Sequence, residues 1–390
     1  MDNKKPIANG SYNWEKHMRK LFGHAKNIND IIMGRVKTSC LFNFCSDEIL
    51  IARTPPKYQI GFKLLLTSCK DKQLVARCQY PIVYGIEGSD ELNKGDVVSV
   101  ENSGQINFLF ESHSDDNVLF LTERCNCCCV MCPQRISSHD NVALNMQLIS
   151  LIDKKTKYLG LTGGEPTLLG RDLVEIIAKC KKELPDTSIF LLTNGILLND
   201  LNYVKEIASV NHPSLRFQVG LYSDIDSEHN KIVGTKGFSQ TINGIYNLAI
   251  FKQRIEIRTV IHRLNYERLP KLAEFIYRNF PFVVHVALMG LEVEGYASDN
   301  IDKLWVEPLN YMDALEEAVK TLHRAAVPVS IYNHQLCLLP EKLWPFSRKS
   351  ISSWKNIYFE FCNECSAKNM CGGLFFSSQN KHSNHLHPLK

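Results

Sequence analysis

Three cysteines, Cys125, Cys129 and Cys132, lie directly after an apolar segment that we predict to be a strand. Their spacing is C-x3-C-x2-C, and thiolates are the natural ligands of iron–sulfur clusters. Three ligands on a four-iron cube leave one iron open, and a metal centre needs such an open site to bind and react with a substrate. The pattern therefore predicts a reactive cluster.

Two further cysteines, Cys127 and Cys128, lie in the same loop and allow a competing set made of Cys125, Cys128 and Cys132. A zinc knuckle and a group of buried thiols are the other interpretations of this segment. The chain has fourteen cysteines. Because they are clustered in a long chain without a readable export signal, we expect metal binding or catalysis rather than disulfides.

A glycine loop follows about 30 residues beyond the last of these cysteines. After a predicted strand at Tyr158–Leu161, the chain reads Gly163-Gly164-Glu165-Pro166. Glycine lets the backbone approach a ligand closely, and proline stiffens a turn. An ordinary tight turn would have the same composition. Its position after the cysteine pattern favours a cofactor-binding loop.

The cysteine pattern and the GGEP sequence together resemble the radical S-adenosylmethionine (SAM) superfamily. The resemblance implies that SAM chelates the open iron of a [4Fe–4S] cluster. An electron, supplied by a reductant such as flavodoxin or ferredoxin, then cleaves SAM to methionine and a 5′-deoxyadenosyl radical that abstracts a substrate hydrogen. Met131 departs from the family pattern, which often has an aromatic residue there, and its polarizable thioether could fill the same gap.

The same resemblance implies a set of SAM contacts at the ends of three predicted strands, where parallel barrels carry their active sites, and a further contact is predicted on the fifth strand. The predicted contacts are Gly163, Gly164, Glu165, Pro166, Thr193, Asn194, Ser223 and Arg258. For Thr193, Asn194 and Ser223 the alternative is plain turn chemistry. For Arg258 the alternative to the SAM carboxylate is a structural ion pair with Glu256 or another neighbour.

A second cysteine cluster lies near the end of the sequence. Cys362, Cys365 and Cys371 form C-x2-C-x5-C, and Cys337 precedes them by 25 positions. The group resembles the auxiliary-cluster domains of peptide-modifying radical SAM enzymes, in the smaller version that holds a single auxiliary [4Fe–4S] cluster. A structural zinc site is the alternative, because four cysteines serve zinc equally well.

The sequence around the second cluster resembles a narrower family. Asn333–Pro340, Trp344-Pro345 and Ser350–Lys355 are similar to the His-Xaa-Ser system radical SAM maturases, C component. This resemblance implies an enzyme that modifies a ribosomally synthesised peptide with His-Xaa-Ser repeats, working with a second radical SAM maturase and a small companion protein. The alternatives are a radical SAM enzyme acting on a nucleic acid or small molecule, and a non-catalytic, metal-stapled binding protein.

The predicted strands and helices that carry these residues indicate an α/β protein of three domains. We expect a small β-rich domain of short antiparallel strands at 1–115, a partial (β/α)6 barrel at 116–300 and an auxiliary-cluster domain at 301–390. A helix is predicted near Tyr12–His24. The predicted barrel strands are Asn117–Leu121, Tyr158–Leu161, Ile189–Leu192, Leu215–Leu221, Ile255–Ile261 and Val283–Leu288.

The charge and hydropathy of the chain argue against nucleic-acid-binding, secreted and membrane proteins. The chain carries 45 Lys plus Arg against 41 Asp plus Glu, a net charge of +4, which argues against a nucleic-acid partner. No signal peptide and no apolar run of about 18 residues can be read. We therefore expect a cytoplasmic protein without a membrane partner.

Overall fold

The computed structural model describes residues 19–39 and 47–390. The chain divides into two compact units. The first comprises the described residues up to 112 together with 135–140, and the second comprises residues 113–134 with 141–390. Three domains were predicted; here the segment after residue 300 belongs to the same unit as the predicted barrel.

In its described residues, the first unit has eight short strands, one helix and one turn of 3-10 helix. The strands are β1 (Lys20–Phe22), β2 (His24–Lys26), β3 (Ile32–Lys37), β4 (Glu48–Ile51), β5 (Leu64–Leu66), β6 (Ile82–Tyr84), β7 (Val97–Val100) and β8 (Gln105–Phe110), the helix is α1 (Lys72–Ala76), and the 3-10 turn is Ser89–Glu91.

These strands form one sheet in the order β1-β8-β7-β3-β4-β5-β6-β2. Because only Gly23 separates β1 from β2, one bent chain segment pairs with both ends of the order and closes the sheet. Strands β7 and β8 form an antiparallel hairpin. The purely antiparallel expectation is wrong, since β4 pairs in parallel with both β3 and β5. The helix predicted at Tyr12–His24 is replaced by strands from Lys20 onward, and its earlier part lies outside the described residues.

The second unit alternates strands and helices. Its strands are β9 (Val118–Thr122), β10 (Tyr158–Gly163), β11 (Ser188–Thr193), β12 (Leu215–Gly220), β13 (Arg254–Ile261), β14 (His285–Gly290), β15 (Val329–Tyr332), β16 (Ser347–Arg348), β17 (Asn356–Ile357) and β18 (Leu374–Phe375). Its α-helices are α2 (Val142–Leu151), α3 (Arg171–Glu183), α4 (Leu201–Ser209), α5 (Asp226–Val233), α6 (Phe238–Ile250), α7 (Leu269–Asn279), α8 (Tyr296–Asp299), α9 (Ile301–Leu304) and α10 (Met312–Arg324). The 3-10 turns are Pro166–Leu169, Leu197–Asn199, Tyr266–Arg268, Pro308–Tyr311, Leu336–Leu338, Glu341–Phe346, Glu360–Glu364 and Phe376–Ser378.

Strands β9 to β16 form one parallel sheet in sequential order, with β9 and β16 at its edges. All six predicted strands are present. Two more, β15 and β16, continue the sheet beyond the predicted six, so the barrel-type sheet does not end near residue 300. Sequence periodicity missed them because the chain between β14 and α10 holds only short helical turns and because β16 has two residues.

The core of the second unit lies between the sheet and its helices. Alternate residues of β11 and β12 are buried, as expected for strands with one face packed on helices. Helix α3 buries Leu173, Ile176, Ile177 and Cys180, which recur at helical spacing. No helix within residues 19–39 and 47–390 is long and apolar enough to cross a membrane.

Candidate functional site

The first cysteine cluster lies in the loop that follows β9. The backbone N–H of Cys128 donates to the Val233 carbonyl at 2.9 Å, and that of Val130 donates to the Ile232 carbonyl at 3.0 Å. Cys127 is buried, whereas Cys128 is exposed. The pairing to the end of α5 thus decides which cysteines face inward.

The inward cysteines border a cavity of about 340 Å³ at the carboxyl ends of the parallel strands. Among its lining residues are Cys125, Cys127, Cys129, Met131, Cys132, Gly163, Gly164, Glu165, Thr193, Asn194, Gln218, Tyr222, His229, Arg258, Met289, Gly290, Glu292 and Asn333. Because the segments after β9 to β15 all reach one cavity, the sheet must curve around it. This placement agrees with the predicted barrel mouth.

Two glycines hold the second loop against the cysteine loop. The N–H of Gly164 donates to the Thr122 carbonyl, and that of Glu165 donates to the Arg124 carbonyl, both at 2.7 Å. A Cβ on Gly163 would lie 2.3 Å from the Thr122 oxygen, and Gly163 also has a φ of +146°. We predicted that these glycines let the loop approach a ligand closely. In the structure they also let the loop pack closely against the neighbouring backbone.

Glu165 is fully buried and is bound by groups of the protein itself. Its Oε1 accepts from the Thr167 N–H at 3.0 Å and from the hydroxyls of Thr167 at 2.5 Å and Thr193 at 2.7 Å. Its Oε2 accepts the Asn194 N–H at 2.6 Å. Burial raises the pKa of Glu165 more than these hydrogen bonds lower it. The carboxylate thus joins the ends of β10 and β11.

Arg258 lines the cavity from β13, and a polar network holds it. Its Nη1 donates to Gln218 Oε1 at 2.8 Å, and its Nη2 contacts Met289 Sδ at 3.2 Å. Its Nε lies 3.8 Å from the buried Glu256 carboxylate, which also accepts from Gln218. Burial opposes ionisation of Glu256, but His285 and the two facing arginines hold its pKa below the usual value. Both interpretations of Arg258 thus find structural support.

Two predicted contacts lie outside the cavity lining. The Ser223 hydroxyl is buried, donates to Glu228 Oε2 at 2.9 Å and accepts the Ile225 N–H at 3.2 Å. Pro166 is buried at the start of a 3-10 turn. Neither borders the cavity. The hydrogen bonds of Ser223 are those of a turn residue, which was the alternative to SAM binding. This geometry gives no support to a SAM contact at Ser223.

Among the cavity residues, Tyr222 was not predicted as a SAM contact, whereas Met131 was noted in the sequence as a departure from the family pattern. Tyr222 contributes a hydroxyl that has no hydrogen bond to any described residue, and its ring stacks on His229 with centroids 5.8 Å apart. The available signal was its place directly after β12, one residue before Ser223. Met131 packs with Ile232, Ala297 and Leu304 in an apolar cluster beside the cavity.

The second cysteine cluster also comes together. Cys337, Cys362, Cys365 and Cys371 all border one small cavity of about 20 Å³, which the tail residues His387 and Leu389 also line. The Leu389 N–H donates to Cys365 Sγ at 3.4 Å. In the described part of the chain, no three His, Cys, Asp or Glu side chains are grouped closely enough for a single metal ion. The assignment of ligands at both clusters stays a prediction.

Comparison with known proteins identifies the central segment. A model of the radical SAM superfamily matches residues 119–276. A probable GTP 3′,8-cyclase of Saccharolobus islandicus is 34% identical over 166 residues, which are 41% of this chain and 52% of that protein. Molybdenum cofactor biosynthesis protein 1 of Drosophila melanogaster is 29% identical over 171 residues, 41% of this chain and 29% of that protein. The chain spans about half the length of the matching cyclases.

Solved structures show likeness at low sequence identity. The anSMEcpe structure with bound AdoMet covers 70% of this chain and 88% of its own, with 14% identity and a TM-score of 0.49. Streptococcus suis SuiB covers 56% of this chain and 49% of its own, with 15% identity and a TM-score of 0.45.

The superfamily match implies a [4Fe–4S] cluster and SAM. The residues fit this group, because Cys125, Cys129 and Cys132 supply thiolates at one side of the cavity and Arg258 supplies a cation that could face a carboxylate. Residues 119–276 match the radical SAM superfamily, and this match indicates an enzyme.

Proposed function

We propose that this enzyme cleaves SAM reductively and uses the product radical to modify a ribosomally synthesised peptide of the His-Xaa-Ser type. The observation that carries the first part is the shared cavity. It brings the three predicted ligands, Cys125, Cys129 and Cys132, to the same space as Asn194 and Arg258. A cluster bound there supplies the electron for SAM cleavage, and the chain supplies position and shielding from water.

Different residues around the cavity are proposed to bind different groups of SAM. The backbone carbonyls of Gly163 and Gly164 are the acceptors proposed for the SAM ammonium group. Arg258 is the proposed partner of the SAM carboxylate, because it is the sole Lys or Arg among the described residues that line this cavity. Glu165 has a positioning role, since its own hydrogen bonds hold the Asn194 backbone in place.

The peptide substrate is supported by the second cysteine group. Cys337, Cys362, Cys365 and Cys371 border one pocket, as an auxiliary cluster requires, and their sequence context resembles His-Xaa-Ser maturases. The C-terminal segment also reaches the SAM-side cavity, because Lys355 Nζ lies 3.2 Å from Glu292, which lines it. A second radical SAM maturase, a small companion and a flavodoxin or ferredoxin are the proposed partners.

A nucleotide is the second candidate substrate, because relatives at 34% identity are named as probable GTP 3′,8-cyclases. A triphosphate needs several cationic or backbone donors. The described lining of this cavity has one guanidinium, Arg258, while Glu292 is paired with Lys355 from outside the lining. A lining with one cationic side chain fits a triphosphate poorly, so we favour the peptide.

Anaerobic reconstitution of the full chain tests the chemistry. We expect about eight irons per chain, as two four-iron clusters require, and 5′-deoxyadenosine that forms only with SAM and a reductant. Cys129→Ala abolishes this product, whereas Cys128→Ala retains it because Cys128 is exposed and away from the cavity. Equal loss in both variants, or no SAM cleavage by the unmodified chain, would overturn the proposal.

Substrate identity is tested with the same preparation. A synthetic peptide with deuterated side chains and His-Xaa-Ser repeats should accelerate SAM cleavage and transfer deuterium into 5′-deoxyadenosine. A scrambled peptide of the same composition is the control, and GTP is the competing substrate. Deuterium transfer from labelled GTP, with none from the peptide, would replace the peptide by a nucleotide.

A further inference from the structure

Cys127 is the fourth inward-facing sulfur of the cysteine loop. It is 2% exposed and lines the same cavity as Cys125, Cys129 and Cys132. Its backbone N–H donates to Cys125 Sγ at 3.4 Å. The loop therefore presents four thiols to the cavity, one more than an open four-iron cluster needs.

The backbone explains why this residue faces inward. The N–H groups of Cys128 and Val130 donate to the carbonyls of Val233 and Ile232, and these hydrogen bonds hold the segment just after Cys127 against the end of α5. A Cβ on Gly234 would lie 2.6 Å from the Cys128 carbonyl oxygen, so this approach is tight. Rotation that buried Cys128 instead would break the two hydrogen bonds to the carbonyls of residues 232 and 233.

Asn194 connects this sulfur to the proposed SAM site. Its Nδ2 donates to Cys127 Sγ at 3.4 Å and to Asn126 Oδ1 at 2.7 Å. An amide donor stabilises a thiolate that is not bound to metal. The residue predicted to contact SAM therefore already holds the extra cysteine.

We propose that Cys127 is a fourth protein ligand of the SAM-side cluster, and that it occupies the otherwise open iron until SAM binds. The inference rests on the proposed function. On SAM binding the bond between iron and Cys127 Sγ breaks, and bonds from iron to the SAM amino nitrogen and carboxylate oxygen form. No electron is transferred, and the released thiolate accepts the Asn194 amide hydrogen bond or a solvent proton.

Oxidative stability of the cluster tests this ligand. A four-iron cluster with an open iron loses that iron when ferricyanide removes an electron, and the three-iron product has its own EPR signal. Without SAM, we expect the unmodified chain and Cys128→Ser to form this signal severalfold more slowly than Cys127→Ser. Cys127→Ser should also bind SAM more tightly, because no thiolate competes. Equal oxidation rates in all three proteins would overturn the inference.

A second measurement needs no variant. Mössbauer spectra of the ⁵⁷Fe-reconstituted chain should show thiolate-type irons alone without SAM, and one iron per SAM-side cluster should change when SAM is added. A distinct iron already present without SAM would contradict the role of Cys127. Failure to assemble any four-iron cluster would instead contradict the proposed function, so the two failures are distinguishable.

Discussion

The carboxylate of Glu165 accepts the backbone N–H of Asn194 at 2.6 Å and thereby ties the end of β10 to the end of β11. The same carboxylate accepts the hydroxyls of Thr167 and Thr193. All these groups border or underlie the proposed SAM site. The GGEP glutamate of this chain is therefore an internal brace, and its removal should be measurable as lost stability.

Glu165→Ala should lower the free energy of unfolding by about 3 kcal/mol or more, because each buried donor left without an acceptor costs about 1–3 kcal/mol. Anaerobic denaturant unfolding measures the change. Glu175→Ala, on the exposed side of α3, is the control and should stay within about 0.5 kcal/mol of the unmodified chain. Equal stability of the two variants would remove the bracing role of Glu165.

Arg258→Gln should weaken SAM binding about 10- to 100-fold, since a charge-assisted hydrogen bond contributes about 1.5–3 kcal/mol. Equilibrium dialysis with labelled SAM on the reconstituted enzyme gives the affinity. The matched variant is Arg254→Gln, which removes an exposed arginine from the start of the same strand. Unchanged SAM affinity in Arg258→Gln would leave Arg258 with only its structural partners, Gln218 and Glu256.

Cys371→Ser should reduce bound iron from about eight to about four per chain if the second group holds a four-iron cluster. Formation of 5′-deoxyadenosine without peptide should persist, because the SAM-side ligands are unchanged. Metal analysis by mass spectrometry provides the counts, and Cys69→Ser in the first unit is the control. One zinc and about four irons in the unmodified chain would establish the zinc alternative instead.

Acid should destabilise the enzyme through His334. Burial lowers the pKa of His334 to about 4, while its Nδ1 lies 2.8 Å from the Tyr332 carbonyl and its Nε2 lies 2.9 Å from the Tyr311 hydroxyl. A histidine whose pKa falls on folding contributes stability above its unfolded pKa of about 6.5, and this stability is lost as the pH falls toward 4.

The contribution of His334 to this loss should be about 2 kcal/mol between pH 7 and pH 5. It is measured from the pH dependence of the unfolding free energy. His334→Gln should flatten the dependence, whereas His323→Gln, at an exposed site on α10, should keep it. Parallel pH profiles for His334→Gln and the unmodified chain would contradict the assignment.

The sequence by itself determined the parallel strands and the two cysteine groups. Apolar runs alternating with amphipathic helices are local patterns, so β9 to β14 could be placed within a few residues. The C-x3-C-x2-C and GGEP spacings are equally local. Because parallel strands align their carboxyl ends, these spacings already indicated one shared site for Cys125, Cys129, Glu165 and Asn194.

Only the tertiary structure decided which side chains reach that site. Cys127 rather than Cys128 faces the cavity because the loop is hydrogen-bonded to the end of α5, more than 100 positions away. Ser223 is removed from it by its bond to Glu228, and β15 joins the sheet by pairing with β14. Such contacts join segments that are distant in sequence, so neither spacing nor periodicity carries them.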